Sequence, residues 1–225
     1  MSQSKIITFG VASKTGPKSE GLQLALQYLS ASPSDYSILT SLAKSKVNEQ
    51  PAGVDEGDRG VRNRMISAET LFDEQGVEPD YIISAENYIV PEADQYNAKP
   101  LGSELNEEDI GNKFIPEFYL DEDWYDLAIV GIKPLGSRIM SFAHSDKVIF
   151  PAAAVKATWE KGPNNRDGFT QYTVGKTLQE MGIVQDHQDP HVDLPGLSGI
   201  EKITNQSRTI YLRDAYITLL KKVGF

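Results

Sequence analysis

The chain has 225 residues, enough to bury a substantial core and a length that fits one domain better than two independent ones. Its 22 basic residues face 32 acidic ones, a formal charge of −10 with a pI near 4.8, which argues against a nucleic-acid polymer or an anionic membrane as main partner. Cysteine is absent, so any metal would take oxygen or imidazole ligands, with Mg2+ the natural hard ion. No apolar run approaches the roughly 20 residues of a membrane span, and MSQSKIITFG lacks the build of a signal peptide, so a soluble, cytoplasmic protein is expected.

In chain order, Lys5 to Ala12 reads as a buried strand. A polar turn over Ser13 to Pro17 leads into a helix from about Lys18 to Leu29, with Leu22, Ala25 and Leu29 on one face. N–H groups at a helix start and the positive end of its dipole attract phosphate, and Lys18 adds a point charge. Ser13 or Thr15 fits a plain helix cap equally well, and no Walker loop is present. Tyr36 to Leu42 reads as a second strand. The Pro/Gly loop from Asn48 then enters a helix whose Val61, Met65, Ala68 and Phe72 form the packing face.

Asp80 to Val90 is an apolar strand broken by Glu86 and Asn87. Between Pro91 and Asp126 stand eleven acids against Lys99 and Lys113, read as a solvated surface insertion or a partner-binding flap. Trp124 to Lys133 and Ser137 to His144 form a hairpin about Pro134, Leu135 and Gly136, which makes the sheet mixed. Helices are expected over Pro151 to Lys161, Thr173 to Met181 and Ser207 to Val223, the last with Leu212, Ala215, Leu219 and Val223 at helical spacing.

Four constellations carry chemical interest. Asp55 and Glu56 open a helix, where acids complement the dipole without further function; Arg62 and Arg64 follow, and guanidinium groups suit bidentate phosphate binding. Glu86 lies inside an apolar strand, so its carboxylate needs a partner, either a cation from a neighbouring element or Mg2+, while Asn87 should face the other way. Arg208 starts the last helix, a position unfavourable to the dipole unless an anion is near; a surface arginine is the plain alternative. His187 and His191 are four apart, but Pro190 prevents a helical metal-ligand pair.

Taken together, these pieces resemble the inosine/xanthosine triphosphatase family, with its inosine triphosphatase-like fold. That family shows Glu-Gln-Pro, a variable residue, Gly, an acidic pair, and then Gly, a small residue and an arginine. Here Glu49-Gln50-Pro51-Ala52-Gly53, Asp55-Glu56, Gly60-Val61 and Arg64 match it. The first turn resembles the family's Ala-Thr-Thr-Asn-Pro-x-Lys substrate loop, with Ala12 and Lys18 in place and Ser13, Lys14, Thr15 and Gly16 substituted. Glu86 holds the place of the acid in the family's Glu-x-Gly segment, and Arg208 and Ala215 fit its final helix. Asn87 and Tyr88 replace small residues, Gly57 stands where threonine is common, and Lys44 stands where the family tends to place a metal-binding acid.

The resemblance implies an α/β fold, a twisted mixed sheet with helices in two lobes and a nucleotide groove between them, in one domain over 1–225 with the acidic insertion at about 91–126. It also implies homodimers and dependence on Mg2+ or Mn2+. The implied activity is hydrolysis of ITP, XTP or their deoxy forms to diphosphate plus phosphate, a nucleotide-pool sanitation reaction. Ser13, Lys14, Thr15, Lys18, Arg62, Arg64 and Arg208 would bind the substrate. Glu86, Glu56 and Asp55 would hold the metal, and Glu86 or Glu56 would act on the attacking water. A second reading, motivated by Lys44 and the altered loop, is a nucleotide-binding sensor or interaction protein that kept the groove and lost the chemistry.

Overall fold

A computed structural model of the chain describes residues 6–14, 16–91, 124–161, 172–194, 196–197 and 207–225. Strand β1 (Ile7–Val11) pairs in parallel with β2 (Tyr36–Thr40) on one side and β3 (Tyr81–Pro91) on the other. Helix α1 (Gly16–Tyr28) makes the crossover to β2, and α2 (Val54–Glu74) the return past β1 to β3. β4 (Trp124–Pro134) runs antiparallel to β3 along its full length. Among the described residues the result is a mixed sheet of seven strands flanked by helices.

The far edge of β4 is shared. β5 (Ser141–His144) pairs with residues 129–132 of β4, and β6 (Lys147–Phe150) with residues 124–126. Ser145 bridges the break between them: its N–H donates to Ala128 O at 2.9 Å and its Oγ accepts from Ala128 N at 2.7 Å. β6 went unread in the sequence because four residues carry little periodicity, and its existence follows from β4 offering a free edge. β7 (Gly196–Leu197) adds to β6. The remaining helices are α3 (Ala152–Glu160), α4 (Val174–Glu180) and α5 (Arg208–Val223).

Strand alternation divides the core in two. On β3, Ile83, Ala85 and Ile89 pack with residues of α1 and α5, whereas Ile82, Tyr88 and Val90 pack with Val61, Met65, Ala68 and Phe72 of α2. The expected α2 stripe is therefore the buried one. On α1 the buried set is Gly21, Leu22, Ala25 and Leu26, with Leu29 beyond the helix end, and Val223 on α5 is 36 % exposed. The hairpin connection is longer than expected, since β5 starts only at Ser141.

Residues 92–123 of the acidic segment lie outside the described residues. Its flanks need correction: Pro91 belongs to β3, and Trp124 to Asp126 belong to β4, where Asp126 is 2 % exposed rather than on a solvated surface. Among the described residues no helix is long and apolar enough to cross a membrane.

Gly10 of β1 sets how closely α2 approaches the sheet. A Cβ there would stand 2.6 Å from Phe72 Cε2 and 3.0 Å from Pro79 Cγ, and Phe72 is fully enclosed. Gly10→Ala is expected to destabilise the protein by about 1–3 kcal/mol, the usual range for overpacking, read as a lower urea midpoint at unchanged slope.

Candidate functional site

The site begins with a missing rung. Ala12 N still donates to Ile83 O at 2.8 Å, but β1 has ended, while β3 runs on to Pro91. Contact on this edge resumes where Ile89 N donates to Pro51 O (2.9 Å) and Gly53 N donates to Ile89 O (2.8 Å). Between these rungs the backbone groups of Ala85 and Asn87 face the same edge by alternation. Lys18 fills part of the gap, its Nζ donating to Ala85 O at 2.7 Å. This gap lies at the carboxyl end of the parallel strands, where the chain first crosses one way to β2 and then the other way to β3. Open α/β sheets take their ligands at such switch points.

Glu86 points to the opposite face, toward α2, and is 6 % exposed. Arg64 grips it as a fork: Nε donates to Oε2, and Nη2 donates to Oε1 at 3.4 Å. The remaining nitrogen, Nη1, donates to Ala43 O at 2.8 Å, tying the chain after β2 to the same pair. Gly60 makes the approach feasible, since a Cβ at that position would stand 2.8 Å from Glu86 Cγ. Of the two compensations open to this acid, the protein supplies the arginine.

Lys18 is surrounded by charge of both signs. Burial pulls its pKa from 10.5 down to about 8; Glu86 and Glu49 oppose that shift, and Arg64 and Arg208 add to it. Three cations and two acids thus share one field. Arg208 heads α5, and the anion its position demands is present: Asp189 Oδ1 accepts the Arg208 backbone N–H at 2.7 Å. Its guanidinium Nη1 donates to Gln188 O at 3.3 Å, but the buried Nε has no acceptor among the described residues. A buried cationic donor left open beside a desolvated lysine favours an incoming anion.

The other predicted residues take different places. Glu56 staples the preceding loop, Oε1 accepting from Asn48 N (3.0 Å) and Oε2 from Ala52 N (2.7 Å). Asp55 is half-buried in the first turn of α2. Arg62 leaves the group altogether: its Nε donates to Asp58 Oδ2 at 2.7 Å, and its guanidinium lies 4.4 Å from the Phe142 ring centre. Ser13 is buried, Lys14 and Lys44 are exposed, and Thr15 lies outside the described residues. Among the described residues no three His, Asp or Glu side chains gather as metal ligands do. With Glu86 held by Arg64 and Glu56 by the loop backbone, the acids expected to hold an ion do not form a ready cage.

One network escaped the sequence reading. Asp126 Oδ2 accepts from Asn87 Nδ2 at 3.0 Å and lies 2.6 Å from His191 Nε2, while Tyr211 Oη donates to Asp126 O at 2.8 Å. Asn87 does face away from Glu86, as expected. The other members are illegible in the sequence because Asp126 follows a run of acids that reads as solvated and His191 lies 65 residues further on. His187 itself meets Gln179, its Nδ1 3.0 Å from Oε1.

Comparison with known proteins adds fold information alone. No family model and no curated protein matches the chain. Among solved structures it is similar to protein VC0702 from Vibrio cholerae, with a TM-score of 0.56 and 12 % identity over 97 % of this chain and 96 % of that one.

Arg64→Met strands Glu86 in the interior and is expected to cost about 3–5 kcal/mol, with Arg64→Met/Glu86→Gln recovering part of it in a double-mutant cycle read by urea unfolding. For Lys18, the folded pKa near 8 lies below the ordinary 10.5. The unfolded chain therefore binds more protons between these values, and wild-type stability relative to Lys18→Met should rise across that window as pH increases. Anion affinity should move oppositely, weakening as pH climbs through 8 and Lys18 sheds its proton; calorimetry with tripolyphosphate in two buffers of different ionisation heat reads both the affinity and the proton uptake.

Proposed function

We propose that the chain hydrolyses ITP, XTP or their deoxy forms to the diphosphate and phosphate, with the triphosphate seated at the carboxyl end of β1. The observation that carries this reading is the group of Lys18, Arg64 and Arg208 around the open edge of β3, with the buried Nε of Arg208 lacking an acceptor among the described residues. On this reading α1 and α5 form one lobe and α2 the other, and the nucleotide lies in the groove between them. Homodimerisation belongs to the same proposal.

The triphosphate arrives as its Mg2+ or Mn2+ chelate, so the divalent ion is part of the substrate and screens the charge on the phosphate chain. Lys18 and Arg208 approach from the α1 and α5 side and Arg64 from the α2 side, holding the terminal phosphoryl group from both faces of β3. Charge that grows on the phosphate oxygens during transfer meets these cations without reorganising solvent. Glu86 is the acid paired with Arg64, and its role is to orient the attacking water and accept its proton as the P–O bond to the leaving nucleoside diphosphate breaks. Glu56 keeps the 48–52 loop in place and takes no part in the chemistry.

The commitment of Glu86 to Arg64 and the outward side chain of Lys44 also support a second reading, a nucleotide-binding sensor or interaction protein without turnover. A panel of nucleoside triphosphates, run with and without divalent ion and with products separated, distinguishes the two. Phosphate release from ITP and XTP should exceed that from ATP by roughly 10,000-fold, as expected when a site hydrogen-bonds the distinguishing group, and Glu86→Gln should abolish it. Uniform rates across the panel would overturn the assignment; affinity for ITP without hydrolysis would select the sensor.

A further inference from the structure

The buried network behind β3 leads physically to Arg208. Asp126 of β4 holds His191, which lies in the short 3-10 turn Pro190–Val192. The same turn begins at Asp189, whose carboxylate does not cap it and instead accepts the Arg208 backbone N–H. Gln188 O, one residue earlier, takes the Arg208 guanidinium. One turn further along α5, Tyr211 donates to the backbone of Asp126, and its ring centre lies 4.9 Å from that of His191. Burial and the Asp126 charge push the Tyr211 phenol well above its ordinary value, so it stays a donor. The start of α5 is therefore tied to the sheet both directly and through the turn, and both ties end at Asp126.

We infer that His191 is a positioning residue: by anchoring the 188–192 turn to Asp126, it fixes the guanidinium of Arg208 beside Lys18 for a phosphate chain. This rests on the proposed triphosphate site for its catalytic consequence but not for its structural one. His191 is 2 % exposed, and its Nδ1 has no partner among the described residues. Nε2 thus carries the tie. Asn87, the neighbour of Glu86, shares the same carboxylate oxygen, so the strand carrying the acid and the turn holding the arginine are referenced to one atom.

The test uses three variants of the full chain. His191→Phe keeps the ring and removes the bond, His191→Gln returns a donor at the Nε2 position, and Asp189→Ala cuts the tie at a half-buried site that leaves the core intact. Hydrogen exchange of the Arg208 amide reads the positioning without any nucleotide. It should quicken by roughly tenfold to a hundredfold in His191→Phe and Asp189→Ala, as for a lost hydrogen bond to a charged group, and return toward wild type in His191→Gln. With ITP as substrate, kcat/KM should fall about tenfold in the first two and recover in His191→Gln, with kcat sharing the loss because Arg208 meets charge that develops during transfer. Unchanged exchange and kcat/KM in either His191→Phe or Asp189→Ala overturn the inference even if the enzyme is active. Faster exchange in a protein that neither binds nor cleaves ITP would retire the triphosphate reading and leave the anchoring intact.

Discussion

Everything at the site follows from β1 ending while β3 continues. A buried carbonyl on an abandoned strand edge must find a donor, and Ala85 finds the ammonium of Lys18 instead of another backbone N–H. That substitution imports a charge. Desolvating it requires acids within reach, which Glu86 and Glu49 provide, and Glu86 in turn requires Arg64 because it is itself enclosed. Arg64 reaches it only because Gly60 lets α2 settle against the acid's stem. A single early strand ending thus propagates into a cluster of mutually compensating ions.

The compensation is incomplete in a useful direction. A chain with formal charge −10 repels polyanions over most of its surface, yet in this group three cations, Lys18, Arg64 and Arg208, stand against two acids, Glu86 and Glu49. Arg208 contributes to that excess from a helix start, where the dipole opposes it, and Asp189 offsets the dipole through the backbone rather than through the guanidinium. The side chain's Nε therefore keeps its donor. Placing the counter-ion on the main chain separates the stability of α5 from the charge Arg208 presents to a ligand.

What the sequence revealed was whatever repeats locally. The stripe Val61, Met65, Ala68 and Phe72 and the alternation around Glu86 and Asn87 are set by helical and strand periods, and both survive in the structure. Partnerships were less legible. Asp126 and His191 are 65 residues apart, so their contact depends on β4 and the late turn meeting, which no window contains. Arg62 and Arg64 looked like a pair, but positions two apart on a helix point about 200° away from each other. Arg64 faces the sheet at Glu86, and Arg62 lies against Phe142 of β5. Glu56 misled for a similar reason: an acid in a first turn fits the dipole, a metal or a loop, and only the loop's path shows Asn48 and Ala52 presenting their N–H groups to it.

The departures from the pattern that the sequence resembles are not equal in weight. Gly57 and Tyr88 depart together: a Cβ on Gly57 would stand 2.6 Å from Tyr88 Cδ1, so the large ring occupies the volume that the missing side chain vacates. Tyr88 Oη then reaches His144 Nδ1 at 3.0 Å, anchoring the ring toward β5. This is an exchange of volume across the interface of α2 and β3, and it leaves Gly60, Arg64 and Glu86 in register. Among the described residues Lys44 has no such complement: its side chain is exposed, and its backbone N–H is held by Ser67 Oγ at 3.3 Å. A change that keeps packing intact alters nothing at the cations, whereas a lysine in place of an acid takes negative charge away from the chain after β2. On the proposed triphosphatase reading, the chemical weight of the departures therefore falls on Lys44 and the turn after β1.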